Sequence, residues 1–211
     1  KDFASAETIE EIILQTDQLM VICAGLEALS KINRSPSKQV ILERFMAPDA
    51  QPLVIFPMLK YLGAFGTPDV FPFLQGIIEA NAETFTKEII DCVENIMKNQ
   101  GLAHLPETIC DQLEEVRLHT RNSVDNYSIT KLLIRASDMS EAQRLKKIRE
   151  MLHDIDDVMQ LCAVELLAEA GDQSDIERLE TVAEETESVE LQEAIGDTVM
   201  SIYQRLEKDG V

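Results

Sequence analysis

Three histidines, four cysteines and scattered carboxylates are the side chains that could support chemistry in this 211-residue chain. His104, His119 and His153 accompany no HExxH, CxxC or Asp-rich calcium-loop pattern, so the spacings of common metal sites are missing. His104 and Cys110 lie six residues apart, which puts them on different faces of a helix. We therefore predict neither a metal nor a cofactor.

Motifs for nucleotide binding and for an activated nucleophile, such as GxGxxG and GxSxG, do not occur either. Asp154, Asp156 and Asp157 are close enough for acid–base catalysis, but they precede an apolar helical stretch. Carboxylates at that position cap the helix and interact favourably with its dipole. We interpret them as a helix start and predict that the protein is not an enzyme.

Each cysteine lies in an apolar helical stretch, and none belongs to a CxxC pair: Cys23, Cys92, Cys110 and Cys162. Free cysteine behaves as a small hydrophobic side chain. The sequence therefore predicts buried, reduced thiols and a reducing compartment such as the cytoplasm.

The chain is strongly acidic, with 39 acidic and 19 basic residues and a net charge of −20. This surplus disfavours nucleic acids and anionic membranes as partners, and no apolar run is long enough to cross a bilayer. Residues 138–211 carry 20 acidic and 7 basic residues. They form either a solvated face or a docking surface for a basic partner.

A basic segment, residues 117–149, contains eight of the 19 basic residues. Lys131 and Arg135 are four residues apart, and Arg144 and Lys147 are three apart, so each pair shares a helical face. These four side chains are candidate ligands for an acidic peptide, a phosphate group or the acidic C-terminal part of the chain itself. The alternative is that the segment is solvated and makes surface ion pairs.

Phe56, Tyr61 and Phe71 are further candidates, because other residues already fill the apolar stripes of their helices. Exposed aromatic side chains on a repeat protein often mark a contact site. Packing against a neighbouring unit is the alternative interpretation of these aromatics.

The elements that must position these residues are helices, and a helix-stop signal recurs along the chain at Asn33, Gly66, Gly101, Ser137 and Gly171. Successive stops are 33, 35, 36 and 34 residues apart. Glycine or asparagine just after an apolar helical stretch supplies the left-handed residue that ends a helix. A period in the thirties, with helix on both sides of each stop, is typical of stacked helical hairpins.

This period predicts an all-α fold of about twelve helices, with five hairpins and a flanking helix at each end. The hairpins span approximately residues 17–47, 49–81, 83–118, 123–153 and 154–187, and the flanking helices residues 6–15 and 188–207. In the irregular fourth unit, the first helix is expected only from about Tyr127 to Ala136. We treat residues 1–211 as a single repeat domain. It opens on a second helix and closes on a first, so we expect it to be part of a longer array.

The hairpins resemble HEAT repeats, whose two helices are joined through a Gly or Asn stop and a turn that often contains proline. The second unit carries the resemblance best, through Asp49, Leu59, Leu62, Gly66, Pro68 and Asp69. Residues 160–183 match next best and residues 17–45 after them, while the third and fourth units match in period and apolar stripe. The family's usual Asp–Arg pair is not evident after Asp17 or Asp157.

The resemblance implies a right-handed superhelix, an α–α solenoid, whose second helices line a concave face. That face would carry the candidate residues Phe71, Gln75, Arg144 and Lys147. The implied function is a non-catalytic protein–protein scaffold or docking module with an unidentified protein partner.

Two rival functions stay open. The first is an enzyme, because HEAT-like families include bilin lyases and DNA-alkylation glycosylases; the glycosylases need a basic groove with Trp, and this chain has no Trp. The second is a regulatory domain that binds a phosphorylated or otherwise acidic ligand at the basic segment.

Overall fold

The computed structural model describes residues 3–45 and 52–209, and every regular element in these ranges is a helix. The α-helices are α1 (Phe3–Gln15), α2 (Leu19–Ile32), α3 (Lys38–Phe45), α4 (Pro52–Phe65), α5 (Phe71–Gln100), α6 (Glu107–His119), α7 (Ser123–Ala136), α8 (Glu141–Met151), α9 (Asp157–Ala170), α10 (Gln173–Glu185) and α11 (Val189–Asp209). A short 3-10 helix, Pro68–Val70, precedes α5. The all-α class is therefore confirmed. Asp49, one of the residues that carry the HEAT resemblance, lies outside the described residues.

The five stop positions all follow the end of a helix, but they end it in different ways. Asn33 and Gly101 adopt the expected left-handed conformation, with φ of 56° and 63°. The expectation is wrong at Gly171, whose backbone is extended. Ser137, for which no left-handed conformation was expected, is extended as well. Gly66 also lacks a positive φ. The backbone is not left-handed at these three positions, so a left-handed conformation does not explain why glycine or serine occurs there.

Gly66 and Gly171 serve close packing instead. A Cβ atom on Gly66 would lie 2.5 Å from the carbonyl oxygen of Leu62 and 3.0 Å from Cδ1 of Ile96. A Cβ atom on Gly171 would lie 2.7 Å from the carbonyl oxygen of Leu167 and 3.1 Å from Cδ1 of Ile202. In both cases the crowding atoms belong to the preceding helical turn and to an isoleucine of the next stacked helix.

Two predicted boundaries differ from the observed ones. The two helices expected on either side of residues 81–83 are both present within α5, but the break between them is a kink at Phe85, with φ −125° and ψ 25°. Helix α7 begins at Ser123 rather than near Tyr127, because the side chain of Asn122 accepts a hydrogen bond from the amide of Val124 at 3.0 Å. Residues 122–126, directly before Tyr127, are thus the N-cap and the first helical turn of α7.

The chain divides into two compact units, residues 1–119 (unit 1) and 120–211 (unit 2). In unit 1, α4 packs against both α2 and α5. Lys60 of α4 pairs with Glu27 of α2 at 3.6 Å, and the side-chain amide of Asn99 in α5 donates to the backbone carbonyl of Gly63 at 3.0 Å. These bridges join residues 33 to 36 positions apart.

A proline in α4 contributes to the contact between α4 and α2. Pro57 lies inside α4 and has no N–H group, so the carbonyl of Leu53, four residues earlier, loses its helical donor. The thiol of Cys23 in α2 donates to this carbonyl with an Sγ–O distance of 3.4 Å. A side chain of the neighbouring helix therefore replaces the missing backbone hydrogen bond.

A buried polar network joins α1, the turn before α3, and α4. Glu10 is only 2% exposed, and its carboxylate accepts from the amide of Ser37 at 3.1 Å and from the hydroxyl of Ser35 at 2.5 Å. The Ser35 hydroxyl also lies 2.5 Å from the hydroxyl of Tyr61, a fully buried residue. Glu10 thereby caps the start of α3 from a different helix.

Unit 2 repeats the side-by-side packing, with α9 in contact with α7, α8 and α11. The hydroxyl of Thr198 in α11 donates to the carbonyl of Val164 in α9 at 3.3 Å. Arg205 of α11 donates to the carbonyls of Ala168, at 2.7 Å, and Gly171. The Thr198 and Gly171 bonds each span 34 residues, which is the period of the stop signals.

Candidate functional site

Two of the four candidate cations form ion pairs within unit 2. Lys131 of α7 donates to the carboxylate of Glu165 in α9, which also accepts from the hydroxyl of Tyr127 at 2.5 Å. Arg135 binds Glu169 through two hydrogen bonds. Desolvation would raise the pKa of Glu165, but the bonds from Lys131 and Tyr127 outweigh it and lower the pKa overall. Lys131 and Arg135 therefore join α7 to α9.

A third basic residue of the segment, Arg149, forms ion pairs with two carboxylates. Arg149 of α8 binds both carboxylate oxygens of Asp175, at 2.6 and 2.9 Å, and one oxygen of Asp172 at 2.9 Å. Asp175 is fully buried. The sequence did not single out Asp175; the only signal was its position at the start of a helix, two residues after Gln173.

Arg144 and Lys147, both in α8, form no ion pair with any described residue. Lys147 is exposed, whereas Arg144 is half-buried and its Nε is buried without a hydrogen-bond partner among the described residues. The basic segment thus contains cations that hold helices together and a pair on α8 with no such role.

Of the remaining candidates, Phe71 and Gln75 lie at the start of α5, and Phe56 and Tyr61 lie in α4. Phe71 is 4% exposed and belongs to the core, and Gln75 is half-buried. Tyr61 is fully buried, and Phe56 is half-buried with the amine of Lys60 4.0 Å above its ring. Phe71 and Tyr61 are therefore buried core residues and not exposed contact residues.

The histidines do not come together into a site. His104, His119 and His153 are all exposed, and His119 Nδ1 lies 2.7 Å from the carbonyl of Glu115. Within residues 3–45 and 52–209, no three His, Cys, Asp or Glu side chains are placed to share a metal ion.

The predicted helix start at Asp154–Asp157 is present. Asp156 is the N-cap of α9 and accepts from the amide of Val158 at 2.9 Å, and Asp154 accepts from the amide of Asp156 at 3.0 Å. Asp157 is the first residue of α9, is not its N-cap, and is exposed. It faces a pocket that the sequence did not predict.

This pocket, of about 480 Å³, lies in unit 2 where α8 and α10 end and where α9 and α11 begin. We call it the acidic pocket and define it by six of its lining residues: Leu152, His153, Asp157, Val182, Glu185 and Glu187. Leu152 and Val182 are buried and supply its apolar part, whereas the carboxylates belong to exposed residues. Among the described residues, no lysine or arginine lines it.

The residues of the acidic pocket come from two stretches, 152–160 and 182–188, that are about 30 residues apart in the chain. A motif search could not join them, because only the stacking of α9 against α11 brings the two turns together. One signal was present in the sequence: the acidic run Glu184–Glu187 closes a helix. Acidic side chains are unfavourable at that end, since the helix dipole is negative there.

Within the described ranges, no helix is both long and apolar enough to traverse a lipid bilayer. Comparison of the chain with protein-family models, with curated proteins and with solved structures finds no match.

Proposed function

We propose that this chain is a non-catalytic protein–protein docking module, built as a right-handed superhelix of HEAT-like hairpins. The observation that supports this most is the recurrence of bridges between helices about one period apart in both units. Lys60–Glu27 in unit 1 and Lys131–Glu165 in unit 2 are examples, at spacings of 33 and 34 residues. Hairpins stacked at such a period contact mainly their neighbours and offer an extended surface for binding.

The partner we propose is a protein in a reducing compartment such as the cytoplasm. The four cysteines are free thiols, which fits such a compartment. The net charge of −20 disfavours nucleic acids and anionic membranes as partners.

A second candidate function is the binding of an acidic or phosphorylated ligand on α8. The orphaned Nε of Arg144 favours it, because a buried donor without an acceptor is costly. A carboxylate or phosphate of a ligand would supply that acceptor, and Lys147 lies three residues away on the same helix. Lys131 and Arg135 support it less, because Glu165 and Glu169 already neutralise them.

The test is affinity capture with the tagged chain from cells of its source, followed by binding of the purified partner. The informative variant is Arg144→Glu/Lys147→Glu, and the matched control reverses two exposed lysines of the same unit, Lys146→Glu/Lys208→Glu. We expect the wild-type chain to bind a protein partner reproducibly. Binding that survives reversal of Arg144 and Lys147 removes the second candidate, and a wild-type chain that binds no protein contradicts the docking function.

A further inference from the structure

We propose that the acidic pocket of unit 2 binds a lysine or arginine side chain from a basic peptide segment that also carries aliphatic residues. This inference rests on the proposed docking function and names the site and the chemistry of the partner.

The size of the acidic pocket suits the charged end of a side chain. Its volume of about 480 Å³ falls within the range of ~300–1,000 Å³ that is usual for small-ligand sites. Leu152 and Val182 line the pocket but are only 1% and 4% exposed, so its accessible surface is mainly polar, and its carboxylates would receive the charged group.

The charge of the acidic pocket is not neutralised from within the chain. None of Asp157, Glu185 and Glu187 forms an ion pair among the described residues. The basic residues of unit 2 that do form strong contacts are used elsewhere: Arg149 holds Asp175, and Arg205 donates to backbone carbonyls. An external cation would therefore not have to displace an internal one.

The ends of α8 and α10 at the pocket favour a cation, whereas the starts of α9 and α11 there oppose it, and Glu185 lies on the favouring side. Glu185 is the last residue of α10, and the C-cap residues of α8 and α10, Leu152 and Thr186, both line the pocket. A carboxylate at a helix C-terminus is repelled by the negative end of the dipole, at a cost of about 0.3–1 kcal/mol. A bound cation would relieve that repulsion, so the placement of Glu185 suits binding better than folding.

Exposed aliphatic side chains beside the acidic pocket favour a peptide over a small cation. Ile155 lies in the turn between two lining residues, His153 and Asp157, and is fully exposed at 101%. Val189 follows the lining residue Ser188 and is 67% exposed. Aliphatic residues that flank the partner's cation could cover both and remove this apolar area from water.

The experiment uses the full chain and a fluorescein-labelled peptide, Gly-Ile-Lys-Leu-Arg-Gly, with binding followed by fluorescence anisotropy. The informative variant is Glu185→Gln/Glu187→Gln. Its matched control, Glu190→Gln/Glu193→Gln, removes the same charge from exposed acids of α11 that do not line the pocket. Circular dichroism melting curves establish that all variants fold.

We expect the pocket variant to weaken binding about tenfold and the control less than twofold, because only nearby charges act strongly in salt. Ile155→Ser should weaken binding a further three- to fivefold, or roughly 0.6–1 kcal/mol. Equal loss in the two glutamine variants would overturn the proposal in favour of a diffuse acidic surface. The absence of peptide binding at millimolar concentration would also overturn it.

Spermidine provides the remaining comparison. If spermidine binds as tightly as the peptide and Ile155→Ser changes neither affinity, the site takes a small polyamine and the peptide proposal is wrong. Failure of the proposed function is recognised separately: a captured partner that binds the Glu185→Gln/Glu187→Gln variant normally leaves the docking function intact and rejects only this site.

Discussion

The guanidinium of Arg149 binds both oxygens of the buried carboxylate of Asp175, at 2.6 and 2.9 Å. Asp175 is also part of a capping box, in which one of its oxygens accepts from the amide of Asp172 at 2.9 Å. This one pair therefore ties α8 to the first turn of α10. A carboxylate at zero exposure has few alternatives to its guanidinium partner.

Replacing Arg149 should therefore destabilise the protein strongly. Arg149→Met leaves Asp175 buried without its cation, and we expect the free energy of unfolding to fall by about 3–5 kcal/mol. Arg178→Met is the matched control, because Arg178 is half-exposed and lies 3.7 Å from the same carboxylate, and it should cost about 0–1 kcal/mol. Urea denaturation measures both values, and similar losses in the two variants would contradict this account.

Replacing Gly171 by alanine should destabilise the protein, because the packing around this residue leaves no room for a Cβ atom. Gly171→Ala places a Cβ against the Leu167 carbonyl and Ile202, and we expect a loss of about 1–3 kcal/mol. Gly196→Ala is the opposite case, because a Cβ atom on this exposed residue of α11 would meet nothing within 4 Å. It should stabilise the protein by about 0.5–1 kcal/mol through helix propensity. Thermal unfolding of both variants tests the pair, and a stabilised Gly171→Ala variant would show that the close contact is not there.

Exchanging the two charges of the Lys131–Glu165 ion pair should preserve part of its stabilising effect. Lys131→Glu brings two carboxylates together between α7 and α9 and should cost about 1 kcal/mol, because the site is partly exposed. Adding Glu165→Lys restores opposite charges, so the double variant should recover part of that loss. A double-mutant cycle in denaturant gives the coupling energy. Zero coupling would mean that Lys131 is not engaged by Glu165 in solution.

The stability of unit 1 should fall at high pH through Tyr61. Burial raises the pKa of Tyr61 from 10.0 to about 12, against the lowering effect of its bond to Ser35, and the negative charge of Glu10 raises it further. The folded state thus favours the protonated phenol. The protonated phenol therefore contributes fully to the free energy of unfolding below pH 10, and this contribution is lost as the pH rises to 12.

Comparison of the wild-type chain with Tyr61→Phe isolates this effect. The free energy of unfolding should decline between pH 10 and 12 by about 2 kcal/mol more in the wild type, because phenylalanine does not titrate. Other groups that titrate in this range are common to both proteins. Parallel stability curves would show that Tyr61 is not held in its neutral form.

Two of the four cysteines should resist modification in the folded protein. Burial raises the pKa of the Cys92 and Cys162 thiols to about 12, so almost no reactive thiolate is present at about pH 8. Cys23 and Cys110 are half-buried. We expect Ellman's reagent to label Cys92 and Cys162 only when the chain unfolds. The rapid labelling seen in the folded protein should come from the other cysteines, so the variant Cys92→Ala/Cys162→Ala should keep its full amplitude. A smaller amplitude of rapid labelling in this variant would contradict the prediction.

The sequence alone determined where most helices begin and end. Apolar stripes, N-cap residues and stops act within a few residues of each other, so Asn33 and Asp156 could be assigned locally, and each is a helix boundary. The same local reasoning was wrong about the backbone at Gly171. There the requirement for glycine comes from close packing, against the carbonyl of Leu167 in the preceding turn and against Ile202 of another helix.

Tertiary structure decided which charged groups are neutralised within the described residues and which are not. Lys131 and Arg144 look alike in the sequence, but Lys131 meets Glu165 while Arg144 meets no described acid. The acidic pocket likewise exists only because two turns about 30 residues apart are packed together. A helical pattern fixes the direction of each side chain around its own axis, but not the register and rotation of one helix against the next. Those are set by the close packing of side chains between helices.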